Sequence, residues 1–151
     1  MEDLTLTVFD TDDARRARTL RLLGAHLSDY HRWETGGEFR QFFAMLCDRN
    51  GEAHGGLIGC THGEWLEVEF VWVEESIRHR GHGSRLLRAA EEEAVSRGCR
   101  RVYLDTAASP ASQFFRSHGY QICGELAGYV AGHSRYWFQK QIGQKQEINS
   151  T

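Results

Sequence analysis

Arg78-His79-Arg80-Gly81-His82-Gly83-Ser84 sets two glycines among arginine and histidine side chains. Just before it, Phe70 to Val73 are aromatic or β-branched; just after it, Leu86, Leu87, Ala90, Ala94 and Val95 recur at helical spacing until Gly98. Strand, glycine turn, helix is an order that suits phosphate. The glycines let backbone approach a ligand, and the first helical amides point at it with the positive end of the dipole. Arg85 and Arg88 lie in the first turns, where the dipole disfavours a cation unless an anion is bound. A solvated basic helix start is the bland alternative. No Gly-Lys-Ser/Thr follows for a P-loop, and Leu86 stands where a dinucleotide fingerprint has its third glycine. Asp105 nevertheless lies at the spacing of a ribose-binding acid, which keeps a nucleotide-binding enzyme open.

Arg78-x-x-Gly81-x-Gly83 resembles the acetyl-coenzyme A signature of the GNAT superfamily of N-acetyltransferases, Gln/Arg-x-x-Gly-x-Gly/Ala. Val71-Trp72-Val73 resembles the family's splayed strand before the loop. Ala111-Ser112-Gln113-Phe114-Phe115-Arg116-Ser117-His118-Gly119-Tyr120 resembles its later Ala-x-x-Phe-Tyr-x-x-x-Gly-Phe/Tyr segment. The likeness covers residues 4 to 140 and is that of a small bacterial-type member. It implies an α/β (mixed α+β) fold: a central, mostly antiparallel sheet with a splayed parallel strand pair, flanked by about four helices. It implies acetyl-coenzyme A as cofactor, held by Val71, Trp72, Val73, Arg78, His79, Arg80, Gly81, His82, Gly83, Ser84 and Phe114, with the pantetheine arm completing the strand edge at Val71 and Val73.

Direct acetyl transfer needs a deprotonated amine, a polarised thioester carbonyl and a tolerated leaving sulfur. Glu67 and Glu69 are the candidates for deprotonating the amine, because a two-residue period puts them on one face, where they can attract a cationic amine and accept its proton. Register does not choose between them, Glu69 is slightly favoured as the nearer to the splay, and an exposed strand face solvated by glutamates is the alternative. The Val73 amide is a candidate oxyanion contact. Phe115 stands where the family frequently has a proton-donating tyrosine, so Tyr120, Ser112, His118 or water must substitute, or activity is altered or reduced. For the acceptor, His133 and Tyr136 in Gly128 to Tyr136, with Tyr30 and Glu34 near Trp33 and His31, offer acidic and aromatic groups. These favour an amine metabolite, a polyamine or an aminoglycoside-like antibiotic, the last implying antibiotic resistance. A catalytically silent acetyl-coenzyme A sensor is the other reading.

Composition narrows the classes further. The chain has 151 residues, 40% of them apolar, and a formal net charge of −3, enough for one core and unsuited to a broad nucleic-acid footprint. No apolar run reaches the ~20 residues of a membrane span and no signal-peptide layout is present, so a cytoplasmic protein is expected. Cys47, Cys60, Cys99 and Cys123 form no C-x-x-C pair and read as reduced thiols. Of eight histidines, His79 and His82 lack ligand-type neighbours, and no metal is expected. Homodimerisation is common among proteins resembling this one, although no residue shows it.

These groups need a scaffold, which the patterning supplies as a single domain over 1–143 with a tail over 144–151. Leu4 to Phe9 alternate as a first strand, and Thr11 or Asp12 caps a helix through Arg15 to Ala25 that turns Leu20, Leu22 and Leu23 inward. Ser28 to Glu38 reads as a loop or helix end. Asn50-Gly51 predicts a type I′ hairpin between Phe42–Leu46 and Leu57–Cys60, and Leu66 to Val73 extends it. A crossover helix, Ser84 to Arg97, returns to a parallel strand at Val102–Leu104. Pro110 and Gly119 bound the next helix, and Tyr120–Ile122 with Tyr136–Phe138 supply the last strands.

Overall fold

The structure, a computed structural model, describes residues 4–8, 10, 12–35, 38–107 and 109–143, with the backbone alone for 28–35 and 109. It divides into two compact units, Met1–Glu38 and Phe39–Thr151. In the first, helix α1 (Arg16–Thr35) starts where Asp13 takes over capping: its carboxylate accepts from the Arg15 amide at 2.8 Å and its carbonyl from the Arg16 amide at 3.1 Å. The helix runs well past Ala25 and ends at Thr35, inside the segment read as a loop or helix end. Leu20, Leu22 and Leu23 are more than half exposed instead of inward. Residues 4–8 form no strand, and Phe9 and Thr11 lie outside the described residues. Alternation gives an apolar face, but a strand also needs a neighbouring ladder, and residues 4–8 have none among the described strands.

The second unit is a mixed sheet of β1 (Arg40–Cys47), β2 (Ala53–His62), β3 (Trp65–Val73), β4 (Arg101–Thr106), β5 (Gln121–Val130) and β6 (His133–Gln141), in the order β1-β2-β3-β4-β6-β5. Only β3 and β4 pair in parallel. Between them runs α2 (His82–Ser96), and α3 (Ser109–Ser117) follows β4. With the one-turn 3₁₀ helix Glu75–Ile77 these complete the described helices, three α-helices and one 3₁₀ turn, in keeping with the about four expected. On α2, Leu86, Leu87, Ala90 and Ala94 recur on one face and are buried with Leu57, Leu66, Val68, Val102, Leu104, Phe115 and Phe138 in one core. The tail beyond residue 143 lies outside the described residues.

Two turns differ from their expected chemistry. Asn50 does not adopt the left-handed conformation a type I′ turn requires, and residues 48–52 form a longer loop around Asp48. The Asp48 carboxylate accepts from the Asn50 and Glu52 amides at 2.8 and 2.9 Å, and Gly51 (φ 83°) closes the turn. The two-residue type I′ geometry occurs instead at Ala131-Gly132, φ 48° and 78°, between paired Val130 and His133.

The β2–β3 ladder jumps between Ile58↔Phe70 and Gly59↔Val68, so Glu69 is the extra, unpaired residue of a β-bulge. The core-facing set changes phase there: Leu66 and Val68 are buried before it, Val71 and Val73 pack on the core after it. Opposite the bulge, a Cβ at Gly59 would lie 2.5 Å from the Phe42 ring and 3.0 Å from Leu66. Gly59→Ala is therefore expected to destabilise the protein by about 1–3 kcal/mol through overpacking, read as a lower urea midpoint with an unchanged slope.

Candidate functional site

Just before the bulge, β3 leaves β4. Their ladder has three rungs, Trp65↔Arg101, Leu66↔Val102 and Glu67↔Tyr103, and beyond Glu67 the strands diverge. A cavity of about 860 Å³ opens in the gap. One wall is β3 from Val68 to Val71 with Val73, another is Leu104, Asp105 and Thr106 of β4, and the end is the glycine loop and the start of α2. Phe114, Phe115 and neighbouring α3 residues close the remaining side.

The loop's backbone geometry suits an anion. His79 (φ 60°) and Gly81 (φ 83°) are both left-handed, and alternation of this kind turns successive amides to one side. Gly81 is the N-cap of α2, no side chain caps that end, and the first intrahelical bond runs from the Arg85 amide to the Gly81 carbonyl. The amides of His82, Gly83 and Ser84 thus precede the helical ladder, and the three residues line the cavity. At Gly83 a Cβ would come within 3.3 Å of the Phe114 ring, so a bare backbone here lets the loop and α3 approach closely. The Arg78 Nε donates to the Val73 carbonyl at 2.8 Å, tying strand end to loop. His118 bridges the two helices, its Nε2 2.8 Å from the Ser84 hydroxyl and its Nδ1 2.8 Å from the Phe114 carbonyl.

Val71, Val73, Arg78, His79, Gly81, His82, Gly83, Ser84 and Phe114, the residues for which the family resemblance implied cofactor contact, line one cavity. Trp72 and Arg80 are exposed and belong to no described lining. Glu69 lines the cavity and accepts from the Gln41 Nε2 at 2.7 Å, whereas Glu67 lines a second hollow. The bulge accounts for this parting of two residues that simple alternation puts together. Tyr120 lies in neither lining. Its hydroxyl donates to Glu91 at 2.8 Å, beside the Lys140 ammonium at 2.9 Å, and burial followed by the Glu91 charge raises its pKa well above the usual phenol range. A phenol so held is a poor proton donor. His133 is exposed at the β5–β6 turn and Tyr136 packs on the core, both outside the described linings. The side chains of Tyr30 and Glu34 lie outside the described residues. Asp105, read as a ribose acid, accepts from Arg135 Nε at 2.6 Å, while Arg135 also donates to the Tyr129 hydroxyl at 2.8 Å.

Sequence reasoning missed Trp65, Tyr103 and Trp137. Burial first, and then the neighbouring Glu67 carboxylate, push the Tyr103 phenol above its ordinary range. Two-residue alternation on β4 and β6, counted from buried Val102, Leu104 and Phe138, was the signal that could have found Tyr103 and Trp137.

Residues 10–120 match the family described as Acetyltransferase (GNAT) family. An acetyltransferase of Agrobacterium fabrum is 38% identical over 88 residues, 58% of this chain and 64% of that protein, so the match spans just under two thirds of the relative's length. Blasticidin-S acetyltransferase of Streptomyces morookaense is 32% identical over 102 residues, 67% of this chain and 75% of that protein. A crystal structure from Agrobacterium tumefaciens, described as a candidate acetyltransferase, superposes with a TM-score of 0.81 at 29% identity, covering 92% of this chain and 100% of that one.

Gly81→Val forces a β-branched side chain into a left-handed backbone with open space around it, so strain alone is expected to cost about 1–2 kcal/mol. Stabilisation by coenzyme A, read as a thermal shift, is expected to shrink as well. An undiminished shift would remove the loop amides from the binding role.

Proposed function

The chain belongs to the acetyltransferase (GNAT) family, and from that membership we propose that it moves an acetyl group from acetyl-coenzyme A directly onto a primary amine of a small, cationic acceptor. The observation that carries the proposal is the cavity running from the amide-rich start of α2 into the β3–β4 gap. The residues present fit the cofactor. Amides at the helix start suit a pyrophosphate, and the strand edge of β3 at Val71 and Val73 suits an arm rich in amides. Acetyl-coenzyme A supplies the activated acetyl thioester when bound.

The chain's own groups act in three ways. The loop anchors the charged end, helped by Arg78 and Arg80. The strand edge aligns the arm, and an amide near Val73 faces the charge that develops on the carbonyl oxygen. A glutamate at the splay, Glu67 or Glu69, draws in the ammonium and takes its proton. The relative that is a blasticidin-S acetyltransferase supports a small-molecule acceptor, with antibiotic modification as one outcome. No helix among the described residues is long and apolar enough to cross a membrane.

Phe115 favours a second reading. It is 6% exposed, packed edge-on against Phe114 and Tyr120 and tilted on Phe138, and it has no proton to give. A silent acetyl-coenzyme A-binding module would be built the same way.

Acetyl-coenzyme A at 100 times its dissociation constant is expected to stabilise the protein by about 2.7 kcal/mol, with NAD and ATP at equal concentration giving less. Stabilisation by NAD or ATP alone would sink the proposal. Thiol release with a panel of primary amines separates enzyme from silent module, since only the former turns over. Of Glu67→Gln and Glu69→Gln, the variant that removes the base is expected to lose more rate at neutral than at high pH; unchanged profiles in both would exclude a glutamate base.

A further inference from the structure

His118 follows the last residue of α3, and its half-buried ring reaches across to the start of α2. Its two nitrogens meet different partners. Nδ1 lies 2.8 Å from the Phe114 carbonyl oxygen and 3.1 Å from the Ser117 hydroxyl oxygen, and that hydroxyl spends its own proton on the same carbonyl at 2.6 Å. Both oxygens facing Nδ1 are therefore acceptors, and a ring with one proton carries it there. Nε2 is then a bare lone pair 2.8 Å from the Ser84 hydroxyl, which must be the donor in that bond. The Phe114 ring packs on the imidazole, centroids 4.5 Å apart, and holds it in this position.

That direction of donation is the wrong one for an anion. Ser84 lines the large cavity at the amide-rich start of α2, yet its hydroxyl proton is turned to His118. A phosphate oxygen entering the cavity would meet the hydroxyl lone pairs instead of a donor. Were the hydroxyl simply to rotate, half-buried Nε2 would lose its one described partner, at the cost of a hydrogen bond. A second proton on the ring removes both difficulties. Nε2–H then donates to the Ser84 oxygen, the hydroxyl is free to donate to the anion, and a positive charge stands behind the helix start.

We propose that cofactor binding takes up one proton from solvent at His118 Nε2, reverses the His118–Ser84 hydrogen bond and turns the Ser84 hydroxyl onto the pyrophosphate. The proposal rests on the acetyl-coenzyme A reading above. His118 is a positioning residue, acting on the cofactor only through Ser84. The proton stays on the ring while the cofactor is bound and returns to solvent when it leaves, and no covalent bond between heavy atoms changes. The described contacts of the ring come from α2 and α3 alone. Of the other charged groups on those stretches, His82 faces Arg85, Glu91 is engaged by Tyr120 and Lys140, and Arg88 and Arg116 make no described contact with the ring. Because the bound state holds the extra proton, affinity falls as pH rises.

Acetyl-dephospho-coenzyme A is the probe, since it keeps the pyrophosphate and lacks the phosphate monoester and free thiol that would themselves titrate. Calorimetric titration of the full chain at neutral pH, in two buffers of different ionisation enthalpy, counts the protons taken up. Uptake is expected, with the association constant falling by up to about tenfold per pH unit on the alkaline side. His118→Gln, whose amide can donate to Ser84 at every pH, and Ser84→Ala, which leaves the loop amides in place, are each expected to bind without that uptake. Ser84→Ala decides the matter if His118→Gln does not fold. Should only acetyl-coenzyme A bind, the uptake that both substitutions remove is measured with it instead. No buffer dependence in the full chain, or uptake that persists in either variant, overturns the proton linkage and leaves the cofactor reading standing. Failure of the full chain to bind either ligand overturns both.

Discussion

Backbone hydrogen bonds between β3 and β4 end at Glu67 and Tyr103, and the large cavity opens where they end. A parallel pair would normally continue, since an unpaired strand edge leaves amides and carbonyls that need partners. Each strand keeps its outer neighbour: β3 stays on β2 through Gly55↔Val73, and β4 stays on β6 through Thr106↔Tyr136. Only the edges facing one another are released. The bulge at Glu69 bends β3 just beyond the last rung, and the first residues of α2 line the cavity that opens there.

Much of this was legible in the sequence, for local reasons. The glycine loop, the face of α2 and the crossover to a parallel strand depend on neighbouring residues, and all are present. What escaped depends on partners distant in the chain. Whether Glu69 is bulged is decided by the register against Ile58 and Gly59, where Gly59 leaves room for the Phe42 ring; nothing at positions 67 to 69 reveals it. The alternating pattern at residues 4–8 describes a face without describing a ladder. Asn50-Gly51 satisfied the type I′ rule in composition, but the Asp48 carboxylate captured two amides and organised a longer turn, while the less typical Ala131-Gly132 took the left-handed pair.

The aromatic positions near α3 show how core and chemistry share residues. Phe115 and Tyr120 both follow the family's pattern of bulk at these places, yet each ring is committed inward: Phe115 to Phe138 and Tyr120, Tyr120 through its hydroxyl to Glu91 and Lys140. A buried phenol needs a partner, and Glu91 with Lys140 supplies a charge-balanced one. The consequence is that no tyrosine hydroxyl is found among the residues described around the large cavity. The leaving thiolate can tolerate this, because a thiol pKa near ~8.5 makes it a moderate base that solvent can protonate.

The two faces of the sheet thus differ in kind. The helix start presents partial positive charge on the side of the large cavity, whereas the far face carries aromatic rings and the Glu67 carboxylate. The two sides are also held by different constraints. The large cavity is lined by the glycine loop and the core-packed side of β3, so its walls change only with the fold. The hollow is built from alternate side chains of β2, β3, β4 and β6 that point away from the core, and these can be exchanged one at a time while Leu66, Val102 and Phe138 stay in place.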